Sequence, residues 1–183
     1  RADDSCYMLL TSGSTGPSKW VVHRQRDIAA CIATYGRRIL RLGPGDVTAS
    51  VAALPTSYGL GNSLYFPLSV GACAWIDPQT ATPDGMLDAV TRRGVTAAFG
   101  VPTSWARLQR QLAGTPDAAM LRTLRLAASA GEALPVATWE AVHDTTGLRL
   151  LNSLGSSEAT NFYLSDRPGR PRAGTVGWPV PGF

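Results

Sequence analysis

Thr11-Ser12-Gly13-Ser14-Thr15-Gly16-Pro17-Ser18-Lys19 is the stretch on which the reading of this chain turns. A short apolar run from Cys6 to Leu10 precedes it, and a second, Trp20-Val21-Val22, follows it. The pattern predicts a turn rich in glycine and hydroxyls between two strands, with one lysine at its end. Glycine lets backbone approach a ligand closely. Successive backbone N–H groups and hydroxyls can then surround phosphate oxygens. The same composition also suits a hydroxyl-rich turn with no ligand. It is not a Walker A loop, which needs G-x-x-x-x-G-K-[ST] before a helix. Here Lys19 stands three residues after Gly16, and Trp20 occupies the place of the hydroxyl.

Outward from this stretch, strand-like and helix-like segments alternate. Ile28, Cys31, Ile32, Tyr35 and Ile39 form an i, i+3/i+4 stripe, predicting a helix from His23–Gln25 to about Leu40. His23 reads as its first residue. The turn Gly43-Pro44-Gly45-Asp46 leads to a strand over 47–54. A glycine-containing loop over 56–62 and a short helix over 63–69 follow. Next come a strand over 72–76, a helix after the Thr82-Pro83 cap to about Arg93, and a strand over 95–101. The remaining expectations are a helix over 105–113, a strand over 124–128, a helix over 135–145 and a strand over 148–151. A polar turn over 152–160 and a final strand over 161–164 end the series. This alternation predicts an α/β fold with a largely parallel sheet flanked by helices. Ligands in such sheets collect beyond the carboxyl ends of the strands.

With 183 residues the chain is long enough for one domain with a useful core, and 44% hydrophobic residues is a globular composition. The net charge of +4 is mild, and its arginine clusters lack an aromatic ladder, so nucleic-acid binding is disfavoured. No run reaches 18 apolar residues, so no membrane span is expected. Three widely spaced cysteines make neither a metal site nor a disulfide framework. Cys6 and Cys73 read as buried thiols, and a reducing cytoplasm is the expected compartment.

The 11–19 stretch resembles the phosphate loop of the adenylate-forming enzymes, roughly [ST]-S-G-[ST]-T-G-x-P-K-G. It departs at Ser18, usually proline, and at Trp20, usually glycine. Ser153-Leu154-Gly155-Ser156-Ser157-Glu158 resembles the G-x-[ST]-E element of the same superfamily. The runs Tyr58-Gly59-Leu60-Gly61-Asn62, Gly100-Val101-Pro102-Thr103 and Ser129-Ala130-Gly131-Glu132-Ala133-Leu134-Pro135 are similar to those of benzoate-CoA ligases and related aryl-CoA ligases. The resemblance implies that residues 1–183 are one partial domain, the central part of an incomplete AMP-binding N-terminal domain. The C-terminal catalytic domain would lie outside it.

By that resemblance the parent activates a benzoate-like carboxylate with ATP and Mg²⁺ and transfers it to CoA. Thr15, Lys19 and Glu158 are then the catalytic set, with Glu158 on Mg²⁺. Ser12, Gly13, Ser14, Thr15, Gly16 and Lys19 cradle phosphate. Gly131, Glu132, Asn152, Ser153, Leu154, Gly155 and Ser157 contact the nucleotide, Ser157 at the α-phosphate. Glu132 also reads as a first-turn carboxylate favoured by a helix dipole, and Glu158 also reads as a solvated surface carboxylate. Tyr58, Gly59, Ala130, Gly131, Gly155 and Asn161 line the acid pocket. Asn161 stands where benzoate-CoA ligases often have histidine, which suggests a ring substituent such as hydroxyl or amino. The lysine of acyl-adenylation belongs to the downstream domain and is not Lys19, so the fragment itself is expected to be inactive. An enzyme loading an aryl acid onto a carrier protein and a non-catalytic nucleotide-binding homologue are the alternatives.

Overall fold

The computed structural model describes residues 1–11 and 16–183. Strands β1 (Ser5–Leu10) and β2 (Trp20–Arg24) form an antiparallel hairpin. It closes through Thr11 N–H on the Lys19 carbonyl and Lys19 N–H on Thr11 Oγ1, at 2.9 and 3.0 Å. Side chains alternate across it as the pleat requires. Leu9 and His23 face inward, while Met8, Leu10, Trp20 and Val22 are each more than half exposed on the other face. Register pairs Leu10 with Trp20 and Met8 with Val22.

The main sheet contains β3 (Val47–Ser50), β4 (Cys73–Trp75), β5 (Ala97–Gly100), β6 (Leu126–Ser129), β7 (Leu151–Gly155), β8 (Phe162–Ser165) and β9 (Trp178–Pro179), in the order β4-β3-β5-β6-β7-β8-β9. The pairings from β4 through β7 are parallel. The expectation of a largely parallel sheet needs correction at the other edge, where β7–β8 and β8–β9 are antiparallel. Only residues 156–161 separate β7 from β8, too few for a crossover, so the chain must double back.

Alternating residues of β5 and β6 divide between two cores. Ala97, Phe99, Leu126 and Ala128 join Tyr35, Leu40, Phe66 and Phe162 on one face. Ala98 and Ala127 join Met86, Trp105, Leu108, Leu121 and Val142 on the other. The second face is covered by α4 (Pro83–Arg93), α5 (Pro102–Leu112) and α6 (Val136–Thr146). The first is covered by α1 (Gln25–Cys31), which continues as a nine-residue π-helix, Ile32–Leu40. Helix α2 (Ser57–Leu60), a second π-helical segment (Gly61–Tyr65) and α3 (Phe66–Leu68) follow β3. No helix among the described residues is long and apolar enough to cross a membrane.

Several local expectations change. The 56–62 loop is helical from Ser57, because the Thr56 hydroxyl accepts the Gly59 N–H and caps the turn. Strand β3 ends at Ser50 rather than at 54. Strand β7 runs through Gly155, so Asn152–Gly155 is not part of a turn; β8 supplies its partner. His23 lies within strand β2, next to its last residue, and the helix begins at Gln25. Cys73 is exposed and Cys6 half-buried, because they lie on the edge strand β4 and on a two-stranded hairpin. Cys31 is the buried thiol.

An ion pair clamps the amino end of the sheet. Arg125 Nε meets Asp46 Oδ1 at 2.6 Å, and Thr96 Oγ1 donates to the same oxygen at 2.6 Å. The guanidinium holds the Asp46 carboxyl down, to about 2 against an ordinary 3.8. A depressed carboxylate contributes stability above its unfolded pKa and loses it as pH falls through the folded value. Lowering pH from about 4 to 2 therefore removes about 1 kcal/mol here, the full linkage being discounted for solvent around the half-exposed arginine. Chemical denaturation of wild type and Asp46→Asn across that window checks this. The variant starts less stable and shows a flatter acid dependence.

Candidate active site

A cavity of about 430 Å³ opens beyond the carboxyl end of β6 and along the carboxyl half of β7, near the position expected for a ligand in a parallel sheet. Residues 131–134 after β6 form one wall and 152–156 another; Ser57, Tyr58, Asn161, Phe162 and Val176 complete the lining. Aromatic rings shape the far end. Tyr58 meets Phe162 edge-on at 5.3 Å between centroids and Phe99 at 6.4 Å. Its hydroxyl donates inward to the Gly100 carbonyl at 3.0 Å, so the ring presents carbon to the cavity. Burial raises its phenol well above the ordinary range.

Strand β7 is held by polar groups from both sides. Tyr35, on the long π-helix, bonds Ser153 Oγ at 3.1 Å, and Ser153 bonds Ser165 Oγ at 2.9 Å. The Asp166 carboxylate accepts the Asn152 N–H at 3.0 Å, and Asn152 Nδ2 donates to the Thr175 carbonyl at 2.8 Å. At Gly155 the backbones of β7 and the returning chain come so close that a Cβ would overlap the Asn161 carbonyl.

Asn161 is buried, with Nδ2 3.2 Å from both the Ser57 carbonyl and the Tyr65 hydroxyl. The Ser57 carbonyl can only accept, which fixes the amide nitrogen on that side. The Asn161 Oδ1 has no partner among the described residues. Burial pushes the Tyr65 phenol up.

The 156–160 turn follows β7. Glu158 is exposed, and its carboxyl is held below the ordinary glutamate range by its own backbone N–H, then by the Ser156 side chain. Ser157 Oγ donates to the Leu10 carbonyl at 3.4 Å, bringing the turn against the end of β1. Among the described residues no group of three or more His, Cys, Asp or Glu can hold a metal ion. A lone carboxylate beside a hydroxyl nevertheless fits Mg²⁺ that takes its other oxygens from nucleotide phosphates and water.

The positions named from sequence thus divide. Tyr58, Gly131, Glu132, Asn152, Ser153, Leu154, Gly155 and Asn161 line one cavity. Ser157 and Glu158 continue from its wall, and exposed Gly16 and Lys19 lie on the hairpin side. Ser12, Gly13, Ser14 and Thr15 lie outside the described residues. Gly59 and Ala130 are not in the lining: Gly59 is packed against the Ala53 carbonyl, leaving no room for a Cβ, and Ala130 is buried behind the wall. Glu132 also accepts from Thr103 Oγ1 at 3.2 Å, across to the start of α5. Tyr65, Phe162 and Val176 were not anticipated. Phe162 had a signal, being apolar beside a polar turn, whereas Tyr65 reaches Asn161 through a π-helical segment that leaves no sequence pattern.

The model of the AMP-binding enzyme family matches residues 1–183. The benzoate–CoA ligase of Thauera aromatica is 40% identical, covering 100% of this chain and 34% of the relative. The anthranilate–CoA ligase of Pseudomonas aeruginosa is 35% identical, covering 98% and 34%. The crystal structure of the anthranilate CoA ligase AuaEII in complex with anthranoyl-AMP superposes with a TM-score of 0.89 at 33% identity, covering 100% of this chain and 35% of that one. The chain spans about a third of the length of the curated relatives it matches.

The close approach at Gly155 makes it intolerant. Gly155→Ala drives a methyl into backbone that cannot rotate away, costing about 1–3 kcal/mol. A lower melting temperature, read by circular dichroism, is the expected result.

Proposed function

The chain belongs to the AMP-binding enzyme family, and from that premise we propose that the full-length protein is an ATP-dependent, AMP-forming aryl-acid–CoA ligase. The observation that carries this reading is the cavity itself. Its aromatic end at Tyr58 and Phe162 suits a flat ring, and its wall runs through Gly155 to Ser156, which precedes Ser157 and Glu158 in the chain. An acid seated there has its carboxylate toward the turn proposed for the nucleotide. The relatives support the same class, being ligases of benzoate and anthranilate.

In the first half-reaction a carboxylate oxygen attacks the α-phosphorus of ATP. The bond to the bridging oxygen breaks, and pyrophosphate leaves with the electron pair. In the second, the CoA thiol, losing its proton, attacks the acyl carbon and AMP departs. Such chemistry needs alignment and charge neutralisation more than covalent help. Ser157 is assigned to the α-phosphate, and the 12–15 loop with Lys19 to the pyrophosphate oxygens. Glu158 would hold Mg²⁺, which neutralises phosphate charge when bound.

The test is acid-dependent pyrophosphate release by the full-length protein with benzoate, 2-aminobenzoate, 4-hydroxybenzoate and acetate, followed by thioester formation with CoA. Aromatic acids are expected to work and acetate to fail; a preference for acetate would sink the reading. Glu158→Gln is expected to lose about 100-fold or more in kcat/KM while keeping its fold.

The unpartnered Asn161 Oδ1 bears on the ring. A substrate N–H or O–H reaching it would satisfy a buried acceptor that an unsubstituted ring leaves empty. Amino- or hydroxybenzoate is therefore the proposed acid. Asn161→His is expected to shift kcat/KM toward benzoate by about tenfold, the worth of one such bond. An unchanged ring preference would refute the substituent assignment.

A further inference from the structure

We propose that His23 is a positioning residue, a latch that ties the 157–160 turn to the hairpin entering the 11–19 stretch. The inference rests on the reading above, in which that turn and that stretch share one nucleotide.

His23 is 3% exposed and lies 134 residues from its partner in the chain. Its Nε2 is 2.7 Å from the Ser157 carbonyl, and its Nδ1 is 2.7 Å from Thr160 Oγ1. A carbonyl can only accept, so Nε2 carries a proton. In the neutral ring Nδ1 then accepts from the Thr160 hydroxyl. Asp27 Oδ2 lies 3.5 Å from Nδ1, but the Arg24 N–H already holds that oxygen at 2.9 Å. Tyr7 covers the ring with its centroid 5.0 Å away.

One imidazole thus grips the turn at both ends, with Glu158 between the two grips. Thr160 is itself held at φ 65, in the left-handed region. A β-branched residue reaches it only where its surroundings over-determine the backbone. The His23 bond is the buried side-chain contact that does so. Within the turn, the Thr160 N–H bonds the Ser157 carbonyl at 3.1 Å and the Ser156 N–H bonds the Asn161 carbonyl at 3.2 Å; the other ties to the β1 and α1 side are weaker, Ser157 Oγ to the Leu10 carbonyl at 3.4 Å and Cys31 Sγ to the Ala159 carbonyl at 3.8 Å. His23 touches neither cavity wall nor reacting atoms. Its role is to set where Ser157 and Glu158 stand relative to the phosphate stretch.

The test uses the full-length protein with His23→Ala, His23→Gln and Thr160→Val. Glutamine keeps an N–H for the Ser157 carbonyl. Valine keeps the shape and backbone strain of threonine and removes only the hydroxyl. In His23→Ala, amide hydrogen exchange over 156–160 is expected to accelerate about tenfold or more, with β6 unchanged. The KM for MgATP should rise about tenfold to a hundredfold while that for the aryl acid stays within about twofold. His23→Gln should recover most of both losses, and Thr160→Val should show the same signature more weakly. Unchanged exchange over the turn overturns the latch. So does a rise in both KM values together with faster exchange in β6, which marks general loosening. Faster exchange in the turn with no acid-dependent pyrophosphate release by wild type upholds the latch and rejects the ligase reading instead.

Discussion

The site depends on two backbones meeting at Gly155 and Asn161. Because Gly155 has no Cβ, the chain leaving β7 can turn back within six residues and pair as β8. That return ends the parallel part of the sheet. It also puts Asn161 and Phe162 in the same cavity lining as residues 131–134, with Glu158 two residues beyond the last β7-side lining residue, Ser156. A side chain at Gly155 would force the two backbones apart at the cavity wall. The constraint is steric and local, yet the aromatic end of the cavity and the Ser157–Glu158 turn both follow from it.

Around this junction the polar groups are stacked in depth. Tyr35, Ser153 and Ser165 form a hydroxyl chain behind β7, and the Asp166 carboxylate engages its backbone. Burial lifts the Asp166 carboxyl above its ordinary range, the sign that the fold accepts an electrostatic cost to fix one strand. The apolar packing does the opposite work. Tyr58, Phe99 and Phe162 meet edge to face, leaving carbon surfaces toward the cavity. The cavity thus has a hydrogen-bonded polar back and an apolar front.

Much of this was legible from residues alone. The alternation of strands and helices announced the α/β class, and the glycine and hydroxyl runs after each strand marked the cavity end. The short spacing from Gly155 to Phe162 leaves no room for a crossover, yet the alternation was read as a largely parallel sheet throughout, because strand content is easier to read than strand direction. The fate of His23 was not legible. Its neighbours carry a helical stripe, and its burial comes from a turn more than 130 residues away. Thr160 in a left-handed conformation has no local signature. Gly59 was read as pocket surface from the family resemblance, whereas helix α2 turns it onto the Ala53 carbonyl. Contacts made by tertiary return, rather than by local pattern, account for these differences.

The long π-helix carries a consequence of another kind. Residues Ile32–Leu40 are wound with more residues per turn than an α-helix, and within them Tyr35 reaches Ser153 while Ile39 and Leu40 reach the core. Loss of one residue before Tyr35 with the winding unchanged would swing the side chains beyond it by about 100°, and only a local return to α-winding would take up part of that rotation. The segment is therefore protected by count as well as by composition. Many substitutions on its outer face leave the register intact, whereas a deletion must be absorbed by a change of winding if Tyr35 is to keep its place against Ser153.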